Sequence, residues 1–169
     1  MLQPGRPQRP KPKDQMLMPD SEPTMADVSP THSIHRRVER EHIDLMGHAN
    51  NTVFVKWMEE CAVAHSDSAG WKEEAYTKLG AGWVVRRHEV VYTRPALLGA
   101  RVRIETWVPE IKKATSRRCY RWSDAQTDEE FGRAVTIWAF VNIQSGRPVR
   151  IPEMVRSGFP IHPGAFDRV

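Results

Sequence analysis

The sequence predicts an α+β domain in which one long antiparallel sheet wraps around one long helix. Three observations carry that prediction. The run from Thr52 to Asp67 has the length and apolar density of a buried helix. After Gly80 the chain breaks into four strand-like segments separated by short turn-prone stretches. Consecutive strands on short connections pair antiparallel, because parallel pairing needs a longer crossover, and an early helix followed by a strand meander defines the class.

Residues 1–30 hold seven of the 13 prolines, few aliphatics and a balance of charge, with Arg6, Arg9, Lys11 and Lys13 against Asp14, Asp20, Glu22 and Asp27. Such a segment buries too little apolar surface to offset its ordering entropy, so a disordered Pro-rich tail is expected there. Met16, Met18 and Met25 also offer internal starts. From Ser33 to Glu41, Ile34, Arg36 and Val38 alternate with His35, Arg37 and Glu39, the two-residue period of a half-buried strand. The helix over Thr52 to Asp67 has Asn50 or Asn51 as N-cap and Gly70 as its stop. Its apolar residues (Val53, Phe54, Val55, Trp57, Met58, Cys61, Ala62, Val63 and Ala64) cover most of the circumference, which places it in the middle of the fold.

Trp71 to Leu79 reads as a second short helix ending at Gly80, and Trp83–Thr93, Arg101–Pro109, Ser116–Ser123 and Gly132–Ile143 read as strands. In the second of these, Val102, Ile104, Thr106 and Val108 face away from Arg103, Glu105 and Trp107. The domain is expected over 31–160, with a C-terminal tail over 161–169.

With 169 residues and 40% hydrophobic content the chain supports one core of ordinary size. The net charge of +4 is scattered, and no platform of interleaved aromatic and basic residues is evident, so nucleic acid is not an expected partner. No stretch approaches the roughly 20 apolar residues that span a bilayer, and no apolar segment follows the N-terminal basic residues. Neither a membrane partner nor Sec export is therefore expected. Two cysteines, Cys61 and Cys119, are too few for a disulfide framework and suit buried positions in a reducing cytoplasm. His32, His35, His42, His48 and His65 lack compact metal spacing. Neither G-x-S-x-G nor G-x-x-x-x-G-K occurs, which removes the common serine-hydrolase and phosphate-loop readings.

The stretch HIDLMGHANNTVFVKWMEE, from His42 to Glu60, carries the chemistry. A helix N-terminus leaves about four amides unpaired at the positive end of the macrodipole, a place where an oxyanion is stabilised without a cationic side chain. Gly47 permits close backbone approach, Asn50 and Asn51 can cap or hydrogen-bond, and Asp44 stands just upstream. A carboxylate beside an oxyanion site is the minimum for acyl transfer to water, with Asp44 as nucleophile or as general base. The bland alternative is a turn and cap without chemistry, since Asp and Asn are ordinary residues there.

The pattern Asp44, Gly47, His48, Asn50, Asn51, Phe54, Trp57, Glu59, Glu60, with later echoes over Glu89–Val108 and Arg133–Pro152, resembles the 4-hydroxybenzoyl-CoA thioesterase branch of the hotdog-fold thioesterases. The resemblance covers roughly residues 34–155. It implies a sheet of five or six strands around a central helix, homodimers or homotetramers, and hydrolysis of an acyl-CoA thioester without a cofactor. It places catalysis at Asp44 and the oxyanion site on the amides after Gly47, with His48, Asn50 and Asn51 in the same cap. His42 stands where many members have a first Asp, and Phe54 where they have Tyr.

Glu59 and Glu60 are alternative carboxylates, because another hotdog branch uses a helix glutamate; the competing reading pairs one of them with an Arg. Phe54 and Trp57, with Met58, Trp83 and Tyr92, are candidates to line an acyl groove. Lys112, Lys113, Arg117 and Arg118 cluster about one turn and are candidates for the CoA phosphates. Two further readings stay open: a non-catalytic acyl-CoA-binding or scaffolding protein, and a hotdog hydratase or dehydratase.

Overall fold

The computed structural model describes residues 28–164 and 166. The tail expected over 1–30 thus lies outside the described residues up to position 27, as do 165 and 167–169 of the tail expected over 161–169. Strand β1 (Thr31–Arg37) leads through a 3-10 turn at Arg40–His42 and a loop into helix α1 (Asn51–Ser68). Helix α2 (Glu73–Leu79) follows, then β2 (Ala81–Tyr92), β3 (Arg101–Ile111), β4 (Thr115–Asp124), β5 (Glu130–Asn142) and the one-turn helix α3 (Glu153–Ser157). All neighbouring strands pair antiparallel, in the order β1-β3-β4-β5-β2.

That order corrects the expected meander. β3, β4 and β5 follow one another, but β2 pairs with β5 at one edge, so the chain must cross the sheet before starting β3. The crossing segment, Thr93–Ala100, is stitched to the entry of α1: Ala49 N–H donates to Ala96 O at 2.9 Å, Val38 N–H to Ala100 O at 2.9 Å and Gly99 N–H to Val38 O at 2.8 Å. Two segments distant in sequence thereby brace each other where the helix begins.

α1 lies across one face of the sheet. Its buried residues, Phe54, Trp57, Met58, Cys61, Ala62 and His65, recur at three- and four-residue spacing, forming one stripe. Phe54 stacks on Trp122 of β4 with ring centroids 5.5 Å apart and meets Trp57 edge-on at the same distance. The helix is not surrounded as its composition predicts: Val63 is 54% exposed and Glu59 is exposed. Five strands bury only this one stripe of it.

The alternation expected for β3 is present, with Val102, Ile104, Thr106 and Val108 all buried. Its ladder slips between Trp107 and Glu110, where Pro109 has no N–H to offer. A second cluster, formed by Ala69, Ala81, Val108, Phe140, Ile151, Val155 and Phe159, closes the far end of the domain, and Val28 packs against it. On the opposite face of the sheet the C-terminal segment runs over β3 and β4, with Trp107 bonded to Gly164 O and Arg117 to Phe166 O. Cys61 and Cys119 are free and buried, and burial pushes the Cys61 thiol up to about 12. Among the described residues no helix is long and apolar enough to cross a membrane.

Gly132 is required by packing. A Cβ there would lie 2.5 Å from Val91 O and 2.8 Å from the Trp122 ring, both fixed by the sheet and core. Gly132→Ala is expected to cost about 1–3 kcal/mol, a loss of several degrees in Tm for a chain of this size. Thermal unfolding followed by circular dichroism checks it; an unchanged midpoint would mean that the sheet yields at no cost.

Candidate active site

The loop before α1 is a compact hairpin built on Asp44. Ile43 and Ala49 form an isolated antiparallel bridge, Asp44 N–H donates to His48 O at 2.9 Å, and Gly47 N–H donates back to Asp44 O at 3.1 Å. Gly47 has φ 79°, a left-handed turn that suits glycine. The half-buried Asp44 turns one carboxylate oxygen inward: Oδ1 accepts from Met46 N–H at 2.8 Å and His48 N–H at 3.4 Å. Oδ2 has no hydrogen-bond partner among the described residues.

Asn50 is the N-cap of α1. Its Oδ1 accepts from the backbone N–H of Thr52 at 2.9 Å and from the Thr52 hydroxyl at 2.7 Å. The amides expected to bind an oxyanion are not equally available. Ala49 N–H is committed to Ala96 O and Asn50 N–H to His42 O, whereas the Asn51 amide, the first of the helix, has no acceptor among the described residues. The Asn51 carbonyl accepts from Tyr92 OH at 3.1 Å, tying the end of β2 to the helix start. His42 accepts from Glu39 N–H through Nδ1 and sets its ring edge-on to Trp57. Asp44, Gly47, His48, Asn50 and Asn51 therefore share one cap.

The other candidates lie elsewhere. Glu60 receives Nε and Nη2 of Arg36 at 2.9 and 2.8 Å, a structural pair between α1 and β1. Glu59 stands on the open face of α1 and lines a cavity of about 650 Å³. Phe54 and Trp57 are core residues and line neither that cavity nor a smaller one of about 240 Å³. The basic group is divided by strand geometry, because successive side chains point to opposite faces. Lys112 and Arg117 line the smaller cavity with Arg87, Glu89 and Glu110; Lys112 pairs with Glu110 at 3.3 Å, and Lys113 is exposed. Arg118 faces α1, buried, with Nη1 3.0 Å from His65 Nδ1 and 3.2 Å from Thr106 Oγ1. The four residues do not form one phosphate site.

Two features went unread in the sequence. His88, whose Nδ1 lies 2.8 Å from Thr136 Oγ1, has its pKa lowered by burial, an effect opposed by the charge of Glu59. No spacing rule joins positions on a helix and on a strand so far apart. The Arg118–His65 contact had a signal: Arg118, Tyr120 and Trp122 alternate along β4, so the two aromatics announce the face that Arg118 shares. No group of three His, Cys, Asp or Glu suited to a metal occurs among the described residues.

A model of the thioesterase-like superfamily matches residues 38–159. The chain belongs to that superfamily. Within it, the chain is 34% identical over 105 residues to a palmitoyl-acyl carrier protein thioesterase of Gossypium hirsutum, a match covering 59% of this chain and 25% of the relative. The chain spans about a quarter of the length of the curated relatives it matches. A 1,4-dihydroxy-2-naphthoyl-CoA thioesterase from Synechocystis superposes with a TM-score of 0.70 at 15% identity, covering 76% of this chain and 95% of that one. The 12:0-ACP thioesterase from Umbellularia californica gives 0.71 at 21%, covering 81% and 53%. At these identities the likeness is one of fold, the hotdog fold of a five-stranded antiparallel sheet laid against a long helix.

His65 supplies a pH test of the interior of this thioesterase-like domain. Burial first, then the positive charge of Arg118, pulls its pKa from 6.5 down to about 3. The unfolded chain binds that proton more readily, so the stabilisation is complete above about pH 6.5 and is lost as pH falls toward about 3. The His65 ring resonances are expected to stay flat in NMR from about pH 8 to pH 4.5, and His65→Gln is expected to flatten the acid limb of stability against pH in urea titrations. A His65 midpoint near 6.5 would refute the buried neutral ring.

Proposed function

We infer that this chain hydrolyses acyl thioesters, with Asp44 as the catalytic carboxylate. What carries the reading is how the loop holds Asp44: Oδ1 is fixed by the Met46 and His48 amides, while Oδ2 is left without a partner among the described residues beside a helix whose first amide also lacks one. The polarising group for the thioester carbonyl is narrowed to the Asn51 N–H and the positive end of α1. As nucleophile, Oδ2 attacks the carbonyl carbon, the C–S bond breaks, the thiolate takes a proton from water, and a second water opens the anhydride. As general base, Oδ2 takes the proton of a water attacking the same carbon, and that proton passes to the leaving sulfur.

CoA as the carrier thiol follows from the family resemblance, whereas the curated relatives are named for acyl carrier protein, so both carriers belong in the assay. A homodimer or larger homo-oligomer is supported by three open surfaces. β2 is an edge strand with Val84 and Val85 exposed, the outer side of α1 presents Val63, and Leu45, Met46, Leu97 and Leu98 are exposed around the candidate site. Sedimentation is expected to give at least twice the chain mass; a strictly monomeric protein at micromolar concentration would contradict this.

The rival reading, a non-catalytic binding or scaffolding protein, draws on the same cap, since the Ala49 and Asn50 amides are already satisfied. Thiol release from a panel of acyl-CoA and acyl carrier protein thioesters separates the two. Asp44→Asn keeps an oxygen for the turn amides, so the fold is expected to survive while the rate falls by about 100-fold or more. Full activity in a folded Asp44→Asn protein would remove Asp44 from the chemistry. Tight binding without turnover by the unaltered protein would favour the rival.

A further inference from the structure

The 650 Å³ cavity lies between the second half of α1, α2 and the sheet, with five aromatic residues, Trp71, Tyr76, Trp83, Trp138 and Phe159, on its lining. A predominantly apolar wall with a few convergent polar groups, in this size range, is the character of a small-molecule chamber. Arg118, only 7% exposed, is the sole basic residue on the lining among the described residues.

The environment of that guanidinium is unbalanced. Nη1 donates to His65 Nδ1 and Thr106 Oγ1, and Cζ lies 5.8 Å from the centre of the Phe159 ring. All three partners are uncharged. No carboxylate of the described residues lies within ion-pair distance of Arg118, and Nε and Nη2 have no hydrogen-bond partner among them. A buried charge without a counter-charge is costly, and arginine does not relieve that cost by losing its proton. Glu59, Asp67 and Glu73 also line the cavity, all on exposed residues where water screens them. So screened, they neither neutralise Arg118 nor exclude a single carboxylate beside it.

We propose that this cavity binds the carboxylate end of an organic acid with an apolar or aromatic body, held by the Arg118 guanidinium. Two sources supply that chemistry: the far end of an ω-carboxyacyl group on the thioester substrate, or a separate carboxylic acid. The first source rests on the thioester-hydrolase reading; the second does not.

Binding is measured on the full chain by isothermal calorimetry with octanoate and with octanol, which differ only in the charged end. The unaltered protein is expected to bind octanoate at least tenfold more tightly, and Arg118→Gln to reduce that preference to less than twofold. Equal binding, no binding of octanoate, or a preference that survives in Arg118→Gln would overturn the proposal. Should Arg118→Gln fail to fold, the ratio in the unaltered protein decides alone. In a second arm, kcat/KM for the CoA monothioester of decanedioic acid is compared with decanoyl-CoA. A tenfold preference for the former assigns the carboxylate to the acyl group, whereas no preference alongside octanoate binding assigns it to a separate acid. Loss of all thioester turnover would sink the hydrolase reading and leave the octanoate result standing by itself.

Discussion

The seating of α1 on the sheet through Phe54, Trp57 and Trp122 is the interaction on which the rest depends. Each of these side chains is almost wholly buried, and removing an aromatic from such a site costs about 3–5 kcal/mol. Their mutual geometry fixes the helix axis, and with it where the first turn ends and where the preceding loop must turn back. The crossing segment Thr93–Ala100 then locks that loop from below through the Ala49–Ala96 bond. The position of Asp44 is thus a consequence of core packing several residues downstream.

The same helix divides the domain into two chemical regions. Its N-terminal end carries a half-buried carboxylate and the positive end of a dipole, on an exposed loop ringed by apolar residues. Its C-terminal half borders an aromatic cavity, where His65 is held neutral beside the charge of Arg118. An acyl thioester joins a polar reacting centre to an apolar body, and the domain offers surfaces of both kinds, one before the first turn of α1 and one beside its second half. The open side of α1 and the unpaired edge of β2 leave Val63, Val84 and Val85 exposed.

Much of the fold was legible because periodicity reports burial directly. β3 and α1 stand where their patterns put them, and Gly80 ends α2 with φ 68°. The first strand, expected over Ser33–Glu41, runs instead over Thr31–Arg37, because Arg40–His42 turns into a 3-10 helix closed by the Glu39–His42 capping box. The crossing of the chain between β2 and β3 was not legible, because strand order depends on which long strands find each other and not on any local signal. Composition also overstated the burial of α1: Val55, Val63 and Ala64 read as core, yet a five-stranded sheet reaches only one stripe of the helix. At the candidate site, Asp44 and its cap were visible as a motif. The partners that decide which amides are available, Ala96 and the His42 carbonyl, were not, since backbone bonds between loops leave no trace in residue type. The basic cluster misled because sequence adjacency on a strand means opposite faces, and only the aromatics at Tyr120 and Trp122 hinted at where Arg118 goes.

With Asp44 as the catalytic carboxylate, a thioester carbonyl is held and attacked at the cap of α1. A crystal structure with a non-cleavable acyl-CoA ketone, in which a methylene replaces the sulfur, tests it most directly. The ketone oxygen is expected within hydrogen-bonding reach, about 3 Å, of the Asn51 amide, and its carbonyl carbon about 3–3.5 Å from Asp44 Oδ2. A carbonyl seated instead beside Glu59 and His88, with the Asp44 loop untouched, would contradict it and move the chemistry to the open face of the helix.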